Sequence, residues 1–236
     1  KGRDECMKRM IQVLMVATCI LVIWLTIVSA QYNPVVWYRF DETGGTTAFD
    51  SSGSGRNATL VNGPTWVSGR TGNAVNLDGS NDYIQMPTGI VSGLNDFTIA
   101  VWVRLDTVST WSRIFDFGTG TTVNMFLTPR SSSGAIRFAI TSGGAGNEQQ
   151  INGTAALPSG TWKHVAVTLA GNTGILYVDG VEVGRNTSMT LRPSSLGNTG
   201  NNYIGRSQYA DPYLDGRLGA FRIYDRALGA AEVQQL

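Results

Sequence analysis

Residues 97–104 read FTIAVWVR, and this stretch decides the fold class. The residues at positions 97, 99, 101 and 103 are bulky and apolar, and a period of two places them on one face of a strand. Ala100 and Trp102 fall on the opposite face, so both faces are largely apolar. Because a strand that is apolar on both faces is covered on both sides, the stretch predicts a central strand in a layered β protein.

A second stretch, ILYVDGVEV at residues 175–183, predicts a hairpin. Asp179 and Gly180 separate two runs rich in β-branched residues. An Asp-Gly pair tolerates the positive φ angles of a type I′ turn, which joins antiparallel strands with two residues.

From Tyr32 onward, short apolar runs alternate with clusters of Gly, Ser, Asn and Asp, a pattern typical of an all-β sandwich. The final residues 226–236, RALGAAEVQQL, predict one short closing helical turn. The predicted strands are Val35–Phe40, Ala58–Val61, Ala74–Leu77, Tyr83–Met86, Phe97–Arg104, Arg113–Phe117, Val123–Thr128, Ala135–Thr141, Trp162–Leu169, Ile175–Val178, Val181–Val183 and Leu218–Tyr224.

Composition narrows the classes of partner. The 236 residues carry a formal net charge of +1, and the four basic and two acidic residues of positions 1–30 contribute +2, which leaves −1 for residues 31–236. This near-neutral region has no basic run, which excludes nucleic acid and an anionic membrane surface as expected partners. Both cysteines, Cys6 and Cys19, also precede residue 31, so the region has no disulfide framework and no cysteine metal site.

The N-terminal segment is a candidate targeting sequence. Basic residues around Lys8 and Arg9 precede an uncharged apolar stretch at 11–30, which ends in Val-Ser-Ala. This order predicts a signal peptide cleaved after Ala30, with a leader helix at residues 1–30 ahead of a domain at residues 31–236. The alternative is a retained membrane anchor, because the apolar run approaches the length needed to span a bilayer. Both interpretations predict a secreted or cell-surface domain.

Several landmarks in order resemble one known family, the laminin-G-like jelly-roll modules of the concanavalin A-like lectin/glucanase superfamily. They are WYRFDETGGTTAFDSSGSGRNATL (37–60), GNAVNLDGSNDYIQMP (72–87), FTIAVWVR (97–104), GTWKHVAVTLAGNTGILYVDGVEVG (160–184), NYIGRS (202–207) and LDGRLGAFRIYDRAL (214–228). The resemblance implies an all-β fold of two antiparallel sheets packed as a jelly-roll sandwich. It also implies extracellular adhesion or carbohydrate recognition, often beside a glycoside hydrolase, although the fold alone does not fix the function.

The sequence lacks the catalytic patterns that this superfamily and other hydrolases use. A glucanase needs paired carboxylates on one strand in an ExDxE or ExDxxE arrangement, and the glutamates after residue 30 are isolated from such partners. His164, the only histidine, lies in a predicted core strand, where we expect a half-buried, hydrogen-bonded structural residue. With no G-x-S-x-G or H-E-x-x-H motif present, we expect a non-catalytic protein.

The resemblance implies a possible bound Ca²⁺, because many relatives hold this ion near one edge of the sandwich. Asp50 in AFDSSGSG is the best candidate ligand. The family often carries acidic residues where this chain has Gly219 and Ala220, which removes probable ligands. The alternative role for Asp50 is an Asx turn that caps the loop after it.

One loop near the end of the sequence, residues 202–217, which we call the late loop, is rich in aromatic and planar polar side chains. Aromatic side chains stack on sugar rings, and planar polar groups form paired hydrogen bonds with sugar hydroxyls. We expect a saccharide site there, joined by residues of other loops, with Tyr209 the most exposed aromatic. The candidates are Arg206, Gln208, Tyr209, Asp211 and Tyr213 in the late loop, and Trp111, Arg113 and Glu148 elsewhere. The alternative for Tyr213 is packing at the sandwich edge. Trp37, Trp66, Trp102 and Trp162 lie in strand-like contexts and are predicted to be core residues.

The sequence therefore predicts a non-catalytic, lectin-like module that binds a glycan or polysaccharide outside the cytoplasm. One alternative is a structural surface or filament subunit that self-associates through its sheet edges. Another is an accessory module of a larger glycoside hydrolase.

Overall fold

A computed structural model describes residues 33–236, of which Pro34–Leu236 forms one compact unit. The predicted leader helix, its cleavage site and the alternative anchor lie outside the described residues. Within residues 33–236, no helix has the length and apolar character needed to cross a bilayer.

Antiparallel strands dominate the described chain. Their bounds are β1 Val36–Tyr38, β2 Thr47–Ala48, β3 Ala58–Val61, β4 Thr65–Ser68, β5 Asn73–Asp78, β6 Tyr83–Gln85, β7 Phe97–Thr107, β8 Phe115–Gly118, β9 Asn124–Thr128, β10 Arg137–Thr141, β11 Gln149–Asn152, β12 Trp162–Ala170, β13 Thr173–Val178, β14 Val181–Asn186, β15 Asn201–Ile204 and β16 Asp215–Tyr224. Short 3₁₀ turns at Ala145–Asn147 and Pro193–Leu196 and the helix α1 at Ala230–Val233 complete the fold.

The strands form two sheets packed face to face. The first sheet has the order β14-β13-β12-β7-β16-β5-β4, with β1 also paired to β16. The second sheet has the order β11-β10-β9-β8-β15-β6-β3-β2. Neighbouring strands are antiparallel throughout, so the predicted all-β, two-sheet jelly-roll sandwich is confirmed.

The core lies between the two inner faces and contains the apolar face of residues 97–104, as predicted. Phe97 and Val101 have no exposed surface. The Phe97 ring lies 6.0 Å from that of Phe138, and the Phe115 ring lies 6.2 Å from that of Phe221, so aromatic packing joins the two sheets. Each fully buried side chain of this size stabilises the fold by about 1.5–3 kcal/mol relative to exposure.

The C-terminal helix covers one end of the outer face of the first sheet. Leu228 and Val233 are buried there, in a second apolar cluster with Ala100 of β7 and Tyr224 of β16. Thr98 fixes the approach, because its hydroxyl accepts a hydrogen bond from the Leu228 amide at 2.8 Å. The predicted closing helical turn is confirmed.

Local turn chemistry also matches the sequence. Asp179 and Gly180 have φ angles of 51° and 76° between β13 and β14, as a type I′ hairpin requires. The strands that sequence reasoning missed are β2, β4, β11 and β15, which are short or rich in polar residues.

The prediction that four tryptophans are core residues is wrong for three of them. Trp37, Trp102 and Trp162 are half-buried on the outer face of the first sheet, because strand alternation places them opposite the core-facing residues. Trp66 does pack against the core and is itself only partly buried.

Candidate functional site

A pocket of about 190 Å³ opens on the outer face of the second sheet. Its floor includes Phe126 of β9, which pairs with Asp116 of β8 and faces away from the core that Met125 and Leu127 enter. Its walls come from separate loops before β8, before β11 and after β15. The pocket is lined by Trp111, Arg113, Phe126, Ala145, Glu148, Tyr209 and Asp211, and we call it the Trp111–Tyr209 pocket.

Trp111 is held in an unusual backbone conformation. Its φ angle is 68°, in the left-handed region that bulky residues rarely adopt. The Trp111 amide donates to the Arg130 carbonyl at 2.8 Å, and the indole packs edge-on to Phe126 with ring centroids 6.4 Å apart. Backbone conformations of this kind cost about 1–3 kcal/mol and concentrate at functional sites, so the orientation of Trp111 is a structural indication of function.

Arg113 connects the late loop to the second sheet through ion pairs. Its side chain is 3% exposed, and its guanidinium lies 2.9 Å from the carboxylate of Asp211 and 3.4 Å from that of Asp116. The same guanidinium stacks over Phe126 at 4.1 Å. A planar guanidinium that is both stacked and ion-paired has little rotational freedom, so Arg113 holds Asp211 at a fixed position in the pocket wall.

Asp116 lies beneath this ion pair and is fully buried. Burial raises the pKa of its carboxyl to about 7, against the opposing effect of Arg113. One oxygen accepts the amide of Gln208 at 3.0 Å, and the hydroxyl of Ser207 accepts the amide of Tyr209 at 3.0 Å. The buried carboxyl and the serine thus fix the backbone that carries Tyr209.

Tyr209 and Glu148 complete the polar rim. The Tyr209 hydroxyl donates to the Thr121 carbonyl at 2.8 Å, and the ring is half-buried, less exposed than the sequence suggested. Glu148 accepts a hydrogen bond from Gln150 at 2.9 Å, and burial raises the pKa of its carboxyl. Three aromatic rings, those of Trp111, Phe126 and Tyr209, therefore stand beside one guanidinium and two carboxyl groups, an arrangement suited to a flat ligand rich in hydroxyl groups.

Five of the eight predicted ligand-binding residues meet in this pocket: Trp111, Arg113, Glu148, Tyr209 and Asp211. The other three do not line it. The Arg206 guanidinium stacks over Tyr83 at 4.8 Å, and Tyr213 packs against the same ring with centroids 6.5 Å apart. The side-chain amide of Gln208 is hydrogen-bonded to Asn201 through both its atoms: its oxygen accepts from the Asn201 side chain, and its nitrogen donates to the Asn201 carbonyl.

Sequence reasoning missed Phe126 and Ala145 as lining residues. The signal for Phe126 was available, because strand alternation places it on the face opposite Met125 and Leu127. Ala145 lies in a 3₁₀ turn whose position no sequence pattern indicated.

Asp50 has the environment of an Asx turn. One carboxylate oxygen accepts the amides of Trp37 at 3.0 Å and Ser52 at 2.9 Å, and the other accepts the Ser52 hydroxyl and the Arg56 amide. These hydrogen bonds hold the pKa of the Asp50 carboxyl below its usual value, although burial opposes them. Residues 33–236 contain no group of three or more His, Cys, Asp or Glu side chains able to hold a metal. Both Asp50 oxygens already accept hydrogen bonds from the surrounding chain, so the geometry favours the Asx turn, and a bound Ca²⁺ stays a prediction.

His164 is more buried than expected, and its Nε2 atom is buried without a hydrogen-bond partner among the described residues. Its ring packs 5.1 Å from that of Trp102. Burial, aided by the charges of Arg222 and Arg70, lowers the pKa of the imidazole to about 4. The side chain is therefore a neutral packing residue at physiological pH.

Comparison with known families and structures places this geometry in context. Residues 78–234 match a family model described as the concanavalin A-like lectin/glucanases superfamily. The chain belongs to that superfamily. Comparison with curated protein sequences gives no significant match.

Solved structures of the same fold include three informative cases. Domain 4 of AbnA, a GH43 extracellular arabinanase from Geobacillus stearothermophilus in complex with arabinotriose, is 22% identical with a TM-score of 0.74, covering 86% of this chain and 97% of that one. The binding domain of Paraclostridial Mosquitocidal Protein 1 is 19% identical with a TM-score of 0.63, covering 86% and 51%. Trypanosoma rangeli sialidase is 18% identical with a TM-score of 0.64, covering 86% and 32%.

The superfamily member described here thus spans nearly all of the arabinanase domain, about half of the toxin binding domain and about a third of the sialidase. At these identities the likeness establishes a shared fold.

Proposed function

We propose that this protein is a non-catalytic carbohydrate-binding and adhesion module that acts outside the cytoplasm, either secreted or at the cell surface. The observation that carries the proposal is the convergence of Trp111, Tyr209 and the polar groups of Arg113, Asp211 and Glu148 in one pocket. The arabinanase domain with bound arabinotriose supports it, because the same fold holds a saccharide there. The leader predicted from the sequence at residues 1–30 supports the location.

The pocket can hold a sugar by two kinds of contact. The apolar face of a sugar ring packs on Trp111 or Tyr209, while its hydroxyl groups bond to the fixed guanidinium and carboxylate of Arg113 and Asp211. These polar groups are already paired with each other, so a ligand does not have to order them and loses less binding free energy to ordering.

The volume of the pocket predicts a small ligand and modest affinity. A site of about 190 Å³ is smaller than most drug-sized sites and suits one or two sugar units. At about 0.3 kcal/mol per non-hydrogen atom, one sugar unit of about 12 such atoms binds with a Kd in the millimolar range, and two units reach about 10 µM. Affinity should therefore rise from monosaccharide to disaccharide and then level off.

Trp111 and Tyr209 provide the decisive variants. We expect Trp111→Ala and Tyr209→Ala each to weaken saccharide binding at least tenfold, since central aromatic anchors carry much of a binding free energy. Tyr209→Phe keeps the ring and loses the hydrogen bond to Thr121, so it separates ring stacking from loop positioning. Phe49→Ala is the matched control, because Phe49 is 58% exposed and lies outside the pocket.

The binding assay is calorimetric titration of the purified protein with neutral arabino-, xylo-, gluco- and galacto-oligosaccharides of one to four units. Equal weakening by Phe49→Ala and Trp111→Ala, or no binding of any saccharide by the wild type, would contradict the proposal.

The absence of catalysis needs its own test, because the fold brings two carboxyl groups, Glu148 and Asp211, to one pocket. Asp211 is ion-paired with Arg113 and accepts a hydrogen bond from Ser207, which favours a binding role. Incubation of each bound saccharide with the wild type and with Glu148→Gln should yield no cleavage product from either protein. Cleavage by the wild type that the variant loses would replace the binding module with a glycosidase.

The structural-subunit alternative has less support from the described surface. Among residues 33–236, the exposed large hydrophobic side chains are Phe49 and Val181, which are 58% and 62% exposed. Stable subunit interfaces are usually built on larger apolar patches.

A further inference from the structure

A second and larger pocket, of about 260 Å³, lies on the outer face of the first sheet. Two of the tryptophans that lie outside the core, Trp37 of β1 and Trp102 of β7, form part of its wall. Three arginines, Arg39, Arg70 and Arg222, surround them, and we call this cavity the arginine pocket.

The arginine pocket carries more positive than negative charge. Asp41 is the one acidic side chain that lines it, and its carboxylate lies 3.4 Å from the guanidinium of Arg39. Neither Arg70 nor Arg222 forms an ion pair within residues 33–236. Burial lowers the pKa of Arg222, and the nearby positive charge of Arg39 adds to the effect. Leu236, the last residue of the sequence, also lines the pocket, and its backbone oxygen accepts the indole N–H of Trp102 at 3.3 Å. The three guanidinium groups still outnumber the negatively charged groups, which leaves a positive potential that an anion would neutralise.

Two donors at this pocket are buried and unpaired. The indole nitrogen of Trp37 and one terminal guanidinium nitrogen of Arg222 have no hydrogen-bond partner in the described part of the chain. Unpaired buried donors are uncommon in folded proteins, because each one destabilises the fold. Both side chains line the pocket, so a ligand with acceptor oxygens would lie next to them.

The guanidinium groups of the three arginines also lie over the rings of Trp37 and Trp102. The guanidinium groups of Arg39 and Arg222 lie 4.9 Å and 5.1 Å from the ring centroid of Trp37, and that of Arg70 lies 3.9 Å from the ring centroid of Trp102. The pocket therefore presents guanidinium donors held on an aromatic base, which suits an anionic ligand better than a neutral one.

We propose that the arginine pocket is a second binding site, selective for the carboxylate or sulfate groups of an acidic saccharide. The selectivity for anions follows from the charges and unpaired donors of this pocket, whereas the saccharide class rests on the proposed function. The two pockets lie on different sheets, so neutral and acidic saccharides would bind at separate sites.

The test is titration of the purified protein with oligogalacturonate, which carries carboxylates, with a chondroitin sulfate oligosaccharide, and with a neutral galacto-oligosaccharide. We expect binding of one or both acidic ligands, weakened by raising the salt concentration from 20 to 300 mM, since screening acts on charge–charge attraction. Arg70→Gln should weaken that binding about tenfold, because it removes an exposed guanidinium with no ion-pair partner in the described chain. Arg130→Gln is the matched control, an equal charge change at an exposed arginine outside the pocket.

The outcomes separate this site from the Trp111–Tyr209 pocket. Loss of acidic binding in Arg70→Gln with normal binding in Trp111→Ala supports the proposal, even if neutral saccharides bind nowhere. Failure of both acidic ligands to bind the wild type at 20 mM salt overturns it. Equal weakening by Arg130→Gln and Arg70→Gln also overturns it, because binding would then follow net charge rather than this pocket. Loss of acidic binding only in Trp111→Ala would place the anion in the first pocket and overturn the second site.

Discussion

Replacing Asp116 with Asn should reveal a pH dependence of stability that the wild type conceals. The pKa of Asp116 is raised from 3.8 to about 7 in the folded protein, mainly by burial. Between these values the folded protein holds a proton that the unfolded chain releases. The contribution of Asp116 to the free energy of unfolding therefore falls by about 1.4 kcal/mol per pH unit as the pH rises through this range, or by about 4 kcal/mol in all.

His164 acts in the opposite direction over much of the same range. Its pKa is lowered from 6.5 to about 4, mainly by burial, so the unfolded chain binds a proton that the folded protein does not. This contribution rises by about 1.4 kcal/mol per pH unit between pH 4 and 6.5. The two slopes cancel in the wild type. Asp116→Asn removes the contribution that falls with pH, so between pH 4 and 6.5 its free energy of unfolding should rise by about 3 kcal/mol relative to that of the wild type. The free energy of unfolding of His164→Gln should fall by about as much over the same range.

The measurement is urea unfolding of the wild type and both variants at pH 4, 5, 6 and 6.5, at constant ionic strength. Asn keeps an oxygen to accept the Gln208 amide, and Arg113 keeps Asp211, so the pocket should survive the change. Carboxylates such as Asp50, whose pKa is lowered, act equally in all proteins and cancel in the difference. Asp225→Asn, at an exposed carboxylate, is the control. A difference between Asp116→Asn and the wild type that stays constant with pH would refute the reasoning.

Three further changes test the fold. Asp50→Ala removes the acceptor of three backbone amides and should lower the free energy of unfolding in urea by about 1–3 kcal/mol. Calcium should change the Tm of the variant and of the wild type by the same amount. A calcium-dependent Tm shift seen only in the wild type would contradict the Asx-turn assignment. Thr98→Val leaves the Leu228 amide without its acceptor and should cost about 1–3 kcal/mol, so an unchanged urea midpoint would contradict that role. Gly216→Ala places a Cβ against the Arg104 carbonyl oxygen at a φ of 153°, so we expect it to lower Tm; an unchanged Tm would show that the strands shift to make room there.

Much of the fold follows from the sequence, because strand alternation and turn chemistry are local signals. The apolar positions of 97–104 placed β7 inside a sheet, and Asp179-Gly180 located the β13–β14 hairpin. β11, with the sequence QQIN, has no such signal, and its pairing with β10 is set by register rather than by composition. The tryptophan error has a similar cause: alternation separates Trp102 from the core-facing residues, but it does not say which face of a largely apolar strand meets the other sheet.

The residue types of the candidate site were predictable, and its boundaries were not. Aromatic and planar polar residues marked the late loop, yet the pairing of β8 with β9 and β15 decides that Trp111 and Tyr209 share a pocket. The same register directs the side chains of Arg206 and Tyr213 to the ring of Tyr83 instead. Both pockets also depend on cations stacked on rings, as with Arg113 on Phe126, which are contacts between distant segments.

The most direct measurement of the central claim is a ¹H–¹⁵N spectrum of the tryptophan indole groups, recorded while a neutral oligosaccharide is added and assigned with Trp111→Phe. We expect the Trp111 indole signal to shift with saturating concentration dependence, while the signals of Trp37 and Trp102 in the arginine pocket stay in place. An indole signal of Trp111 that remains unmoved by every saccharide that binds the protein would contradict the assignment of this pocket as the carbohydrate site.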